Sequence, residues 1–115
     1  MKNKFGTHYL IECIRCPAAL LSKAEPVERM LLEAAEVAGA GVLGVNSQQF
    51  EPAGASGIVF LKESHMSVHT WPEAGYAAVD FFTCDDGLDV EAAIKVIERC
   101  LGPVELRKTV LPRGY

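Results

Sequence analysis

Hydrophobic positions along this chain switch between two periods. Thr7 to Ile14 alternates loosely and is rich in β-formers, which predicts a first strand. Pro17 to Ser22 reads as a turn or short helical turn. Ser22-Lys23-Ala24-Glu25 has the form of a capping box, with Pro26 suited to a first helical turn. Val27, Met30, Leu31, Ala34, Ala35 and Ala38 then fall at helical spacing and make one apolar stripe. Gly39-Ala40-Gly41 ends that helix.

The pattern then returns to strands. Val42 to Phe50 is the second, closed by Pro52-Ala53-Gly54. Ser56 to Glu63 is the third; its centre is apolar at consecutive positions, which predicts burial on both faces. His65 to Thr70 is short and extended, Pro72 to Gly75 a turn, and Tyr76 to Cys84 a further strand in a hairpin with it. Asp89 suits a helix N-cap, and Val90, Ala93, Ile94, Ile97 and Leu101 form a second helical stripe, stopped at Gly102-Pro103. Val104 to Leu111 reads as an exposed edge strand, followed by a tail, Arg113-Gly114-Tyr115. The order β-α-β-β-β-β-α-β predicts an α+β fold, with helices on one face of a mostly antiparallel sheet.

Length and composition narrow the class. The 115 residues make a single domain, 1–115, and half of them are apolar, so the chain is globular. The net charge is −4 and no basic patch is evident, which argues against a nucleic-acid partner. No apolar run approaches a membrane span, and the stretch behind Met1-Lys2-Asn3-Lys4 is too short and broken for a signal peptide. The expected location is cytoplasmic, with four reduced cysteines. Cys13 and Cys16 lack a second pair at zinc-ribbon spacing, so their reading is structural.

Chemistry is concentrated in Glu63-Ser64-His65-Met66-Ser67-Val68-His69-Thr70-Trp71-Pro72-Glu73. Three readings fit the residue types. Ser64 with a nearby histidine could be a nucleophile and base, although no G-x-S-x-G elbow surrounds it. His65 and His69 share a face of an extended segment and, with Glu63 or Cys84, could hold zinc, although no motif supports this. In the third reading the Ser64 hydroxyl attacks the preceding carbonyl. The amide becomes an ester, β-elimination breaks it, and a pyruvoyl group remains; His69 and Ser56 could supply the base and second hydroxyl.

Ala55-Ser56-Gly57, Glu63-Ser64-His65, His69-Thr70-Trp71-Pro72-Glu73, Gly75-Tyr76-Ala77-Ala78-Val79-Asp80 and Phe82-Thr83-Cys84 resemble the signature of the small prokaryotic S-adenosylmethionine decarboxylase proenzymes. Gly6-Thr7-His8 with Glu12, and Phe50-Glu51-Pro52-Ala53-Gly54, extend the resemblance over nearly the whole chain. It implies a pyruvoyl-dependent carboxy-lyase that cleaves itself between Glu63 and Ser64. Residues 1–63 would be the β chain, and residues 64–115 the α chain with a pyruvoyl group made from Ser64. It implies a Schiff base between substrate amine and pyruvoyl, with the conjugated carbonyl as electron sink. The product would be decarboxylated S-adenosylmethionine for spermidine synthesis. Ser56 and His69 would serve processing, Cys84 would return a proton, Phe50 and His69 would flank the adenine, and Glu73 would hold the ribose. No metal is implied. The family fold is a two-layer sandwich that dimerises sheet to sheet into a four-layer αββα assembly, with the active sites near the interface.

Two departures bear on the substrate. Asp85-Asp86 follow Cys84 where the family usually has glycine, and Gln48 stands where many members have histidine. Acidic groups there could pair with a basic side chain, so a pyruvoyl-dependent arginine or ornithine decarboxylase is a second expectation. An uncleaved binding or metal-holding domain is a third.

Overall fold

The computed structural model describes residues 2–115. In chain order its elements are β1 (Lys4–Ile14), α1 (Ala18–Leu21), α2 (Ala24–Ala38), β2 (Val42–Gln49), β3 (Ala55–Leu61), β4 (Ser64–Trp71), a 3-10 turn (Pro72–Ala74), β5 (Tyr76–Thr83), α3 (Val90–Leu101) and β6 (Glu105–Gly114). The six strands form one sheet in the order β2-β3-β4-β5-β1-β6, and every neighbouring pair is antiparallel. The predicted α+β architecture is therefore the observed one.

Alternation along the strands sorts their side chains onto two faces. Val59, Met66, Phe81 and Tyr9 make one cross-strand row beneath the helices, and Gly57, Val68, Val79 and Ile11 make the next. Both helical stripes bury as predicted, and Val96 joins the second. Leu31, Ile97 and Phe81 are fully buried in one continuous core; burying each such side chain contributes about 1.5–3 kcal/mol. Gly57 allows α2 to lie this close, since a Cβ there would sit 3.1 Å from Leu31 Cδ1. Among the described residues no helix is long and apolar enough to cross a membrane.

Four local expectations are corrected. β3 is buried on the helix side only; Phe60, on the other face, is exposed, because nothing in a single chain covers that side of the sheet. The third strand ends at Leu61, two residues early, because Lys62 and Glu63 form the turn into β4. The capping box does not form: the Ser22 hydroxyl donates to Ala18 O at 2.7 Å, and the first amide of α2, that of Ala24, donates instead to Gln49 Oε1 at 2.7 Å. The C-terminal tail belongs to β6, which pairs with β1 as far as Gly114, and Asn3 and Tyr115 exchange two backbone hydrogen bonds beyond it. Asp89 caps α3 as expected, accepting from Ala92 N–H.

Candidate active site

The turn between β3 and β4 is the most constrained part of the chain. Two-residue hairpin loops favour glycine or asparagine, which adopt positive φ cheaply. Neither occurs here, and the positive φ falls on Ser64 instead, at 140°. That region is close to glycine-only and costs of order 1–3 kcal/mol. Surrounding contacts hold it. Lys62 N–H donates to Gly41 O at 2.8 Å, and Gly41 N–H donates to Glu63 Oε1 at 3.1 Å. Cys84 N–H donates to the Glu63 carbonyl oxygen at 2.9 Å. Ser64 itself pairs with Leu61 on one side and Thr83 on the other.

Glu63, Ser64 and Cys84 are thus brought together at one end of the sheet, with Cys84 exposed to solvent. Of the two acidic residues after Cys84, Asp85 is engaged in the chain's own turn and Asp86 is exposed. Asp85 Oδ1 accepts from Gly87 N–H at 2.7 Å, and Asp86 lies 3.8 Å from Lys4 Nζ.

The remaining predicted site residues gather at the other end. Ser56 and His69 face each other across β3 and β4, and Ser56 Oγ and His69 Nδ1 share a hydrogen bond of 2.7 Å. They line an open groove of ≈ 310 Å³ with Asn46, Gln48, Ile58 and Ser67. Phe50, at the end of β2, and Glu73, in the turn after β4, are exposed at the same end. The Phe50–Gly54 loop is tied down by Gln49, whose side-chain amide donates to the carbonyls of Ser22, Phe50 and Gly54. Trp71 stacks on Tyr76 with ring centres 5.4 Å apart, which fixes the start of the next turn. His69 lies five residues along β4 from Ser64, about 17 Å at the usual strand rise. The predicted site residues of one chain therefore fall into two separate groups.

Between them the open face carries a polar network that the sequence indicated only in part. His8 and Asp80 partner each other: Nε2 to Oδ1 is 3.1 Å. Ser67 Oγ donates to Asp80 Oδ2 at 3.4 Å, and Arg113 donates to His8 Nδ1 at 3.4 Å. A guanidinium only donates, so Nδ1 is the acceptor nitrogen and Nε2–H points at Asp80. Arg113 also lies over the Phe82 ring, 5.8 Å from its centre. Ser67 and Arg113 were missed; only the strand order, which slots β1 between β5 and β6, places them beside His8 and Asp80. Further along, the Tyr76 hydroxyl donates to Glu12, and that bond pushes the phenol up to about 12. Burial pushes the Cys13 thiol up to about 12, and Cys16 is also raised by burial, consistent with core packing for both. Among the described residues no three His, Cys, Asp or Glu side chains are placed to share a metal ion.

Three comparisons bear on this arrangement. The family model for S-adenosylmethionine decarboxylase matches residues 7–114. The chain is 40% identical over 112 residues to an S-adenosylmethionine decarboxylase proenzyme of Caldanaerobacter subterraneus, covering 97% of this chain and 90% of the relative. It is 38% identical over 112 residues to the proenzyme of the same description from Methanococcus maripaludis, covering 97% and 92%. Its fold is similar to the crystal structure of the adenosylmethionine decarboxylase from Aquifex aeolicus, with a TM-score of 0.89 and 34% identity over 98% of this chain and 93% of that one.

Proposed function

Since the chain belongs to the S-adenosylmethionine decarboxylase family, we propose that it is a self-processing decarboxylase that acts on S-adenosylmethionine and supplies the decarboxylated product to polyamine synthesis. The observation that carries this reading is the Glu63-Ser64 turn. A hydroxyl residue sits at φ 140°, and the carbonyl it must attack already accepts a hydrogen bond from Cys84 N–H.

Attack by Ser64 Oγ on the Glu63 carbonyl carbon moves charge onto the carbonyl oxygen. The Cys84 amide is aimed at that atom, as an oxyanion donor must be. Breaking the C–N bond turns the amide into an ester and relieves the strained Ser64 backbone. A base then removes the Ser64 α-proton, and Glu63 leaves as a carboxylate. The dehydroalanine left at the new N-terminus takes up water, loses ammonia and becomes pyruvoyl. The residues present fit that group: a strained serine, a held carbonyl and an exposed thiol stand at one turn. Pyruvoyl supplies a conjugated carbonyl that accepts the electrons released with carbon dioxide. The Cys84 thiol holds the proton that the substrate α-carbon needs.

His69 is the base of this scheme, hydrogen-bonded to Ser56, yet it lies about 17 Å along β4 from the Ser64 of its own chain. A homodimer packed through the open sheet faces resolves this. A two-fold axis between antiparallel-running sheets lays the His69 end of one protomer over the Ser64 end of the other. Exposed Phe60 and half-buried Ile58 and Leu10 supply apolar surface for that contact. Phe50 and His69 then flank the adenine, and Glu73 accepts from the ribose hydroxyls. The relatives that this chain matches are S-adenosylmethionine decarboxylase proenzymes, which favours that substrate over arginine or ornithine.

Denaturing mass spectrometry with a carbon dioxide release assay tests the reading. The expected result is two fragments, 1–63 and 64–115, the second without a free α-amine, and release from S-adenosylmethionine. An intact chain after prolonged incubation refutes processing; release from arginine or ornithine alone refutes the substrate.

A further inference from the structure

The Glu63 side chain has no part in the bond-breaking scheme, yet it is one of the best-placed groups at the turn. Its Oε1 accepts from Gly41 N–H at 3.1 Å, while Gly41 O accepts from Lys62 N–H at 2.8 Å. Both turn residues are thus held by one glycine. That glycine stands on firm ground. Gly39 ends α2 at φ 83°, its N–H bonded to Glu36 O, and Ala40 N–H bonds to Ala35 O at 3.0 Å. Ala35 and Ala38 are buried in the core, and Ala38 O accepts from Asp89 N–H at 3.0 Å. A Cβ on Gly41 would meet Lys62 Cδ at 2.8 Å, a contact the exposed lysine side chain can relieve by turning away.

Glu63 is therefore gripped at both ends, its carboxylate by Gly41 and its carbonyl by Cys84. The two grips come from different elements on either side of the turn. Strain alone does not position a peptide, because an unrestrained turn relaxes by rotating the peptide plane and passing the unfavourable φ along the chain. With both ends of Glu63 held, that rotation would break a hydrogen bond to a fixed amide. We infer that the Glu63 carboxylate and Gly41 amide form a clamp that holds the Glu63-Ser64 peptide in its reactive orientation, making Glu63 a positioning residue for self-cleavage. This inference rests on the self-processing reading above.

The clamp needs an acceptor oxygen and no charge, and it acts on cleavage and not on later turnover. The test follows fragment formation in freshly synthesised chains by denaturing mass spectrometry, for wild type, Glu63→Gln and Glu63→Ala. Each fully cleaved enzyme is then assayed for carbon dioxide release per cleaved chain. Expected are near-wild-type cleavage for Glu63→Gln, cleavage about tenfold or more slower for Glu63→Ala, and equal release per cleaved chain for all three. The turn is at the surface, so Glu63→Ala is expected to fold, with thermal unfolding in a Ser64→Ala background as the check. Glu63→Gln as slow as Glu63→Ala would overturn the clamp, as would Glu63→Ala cleaving at the wild-type rate. A loss of turnover in step with cleavage would overturn it too, by marking a general structural role. A wild-type chain that never splits defeats the underlying reading, and the clamp with it.

Discussion

Cys84 donates its backbone N–H to the carbonyl oxygen of Glu63 at 2.9 Å, although twenty residues lie between them. The pairing of Ser64 with Thr83 creates this contact, because it sets the last residue of β5 against the first of β4. Cys84 thereby has two separable parts, an amide directed at the Glu63-Ser64 peptide and a thiol free in solvent.

Cys84→Ala keeps the amide and removes the thiol. It is expected to cleave at a rate close to wild type and then to lose turnover by about 10²–10⁴-fold, the usual contribution of a positioned acid. Fragment analysis reads the first effect and carbon dioxide release the second. Undiminished release would remove Cys84 from the chemistry. Ser64→Ala, by contrast, is expected to stay whole and inactive.

The separation of Ser64 from His69 along β4 makes a complementation experiment decisive. Ser64→Ala and His69→Ala chains are each expected to remain uncleaved alone. Coexpressed in equal amounts, they form mixed dimers in which the Ser64 of one chain meets the His69 of the other. About half of the His69→Ala chains should then split, and none of the Ser64→Ala chains, for random pairing in a two-fold dimer. Mass spectrometry distinguishes the two by fragment mass. No cleavage in the mixture would mean that His69 acts within its own chain, whereas cleavage of His69→Ala alone would remove it from the scheme.

Gln49 joins the Phe50–Gly54 loop to the helix layer. Its side chain accepts from Ala24 N–H and donates to three carbonyls, two of them in the Phe50–Gly54 loop. Gln49→Ala is expected to lower stability by about 1–2 kcal/mol, through loss of the cap on α2 and the unpaired loop carbonyls. Urea unfolding in the Ser64→Ala background measures that. In the cleaved enzyme the loosened Phe50 should raise KM more than it lowers kcat.

Tyr76 gives a pH signature. Its hydrogen bond to Glu12, then burial, raise its folded pKa to about 12 from the ordinary value near 10. Folding favours the protonated phenol, so this contribution to stability is whole below pH 10 and fades as pH rises toward 12. Tyrosinate absorbance should show one late-titrating tyrosine. In Glu12→Ala its midpoint should fall back toward 10; an unchanged midpoint would rule out the bond as the cause.

Element types were legible in the sequence because local periodicity reports burial on one face. The α2 stripe from Val27 to Ala38 is buried residue for residue. The capping error arose where a distant partner outcompeted a local one. Ser22 was expected to cap α2, but Ala18 O takes its hydroxyl and Gln49, from β2, takes the cap position. The site was legible as residues and not as geometry. Nothing local in the Glu63–Glu73 stretch states that Ser64 and His69 end up far apart on one strand, nor that Gly41 and Cys84 hold the turn from either side. Those facts belong to strand register, which pairing across the sheet decides.

The strand order has one more consequence. A cut between β3 and β4 falls inside the sheet, and it assigns β1, β2 and β3 to the first piece and β4, β5 and β6 to the second. Across the sheet the pieces then alternate: β2 and β3 from the first, β4 and β5 from the second, β1 from the first, β6 from the second. The two pieces of such a cut would be interleaved like the fingers of two hands. Neither can withdraw without unzipping three ladders at once, β3 from β4, β5 from β1 and β1 from β6. A chain cut as proposed would remain one body, so the two pieces should travel together in gel filtration and part only in denaturant.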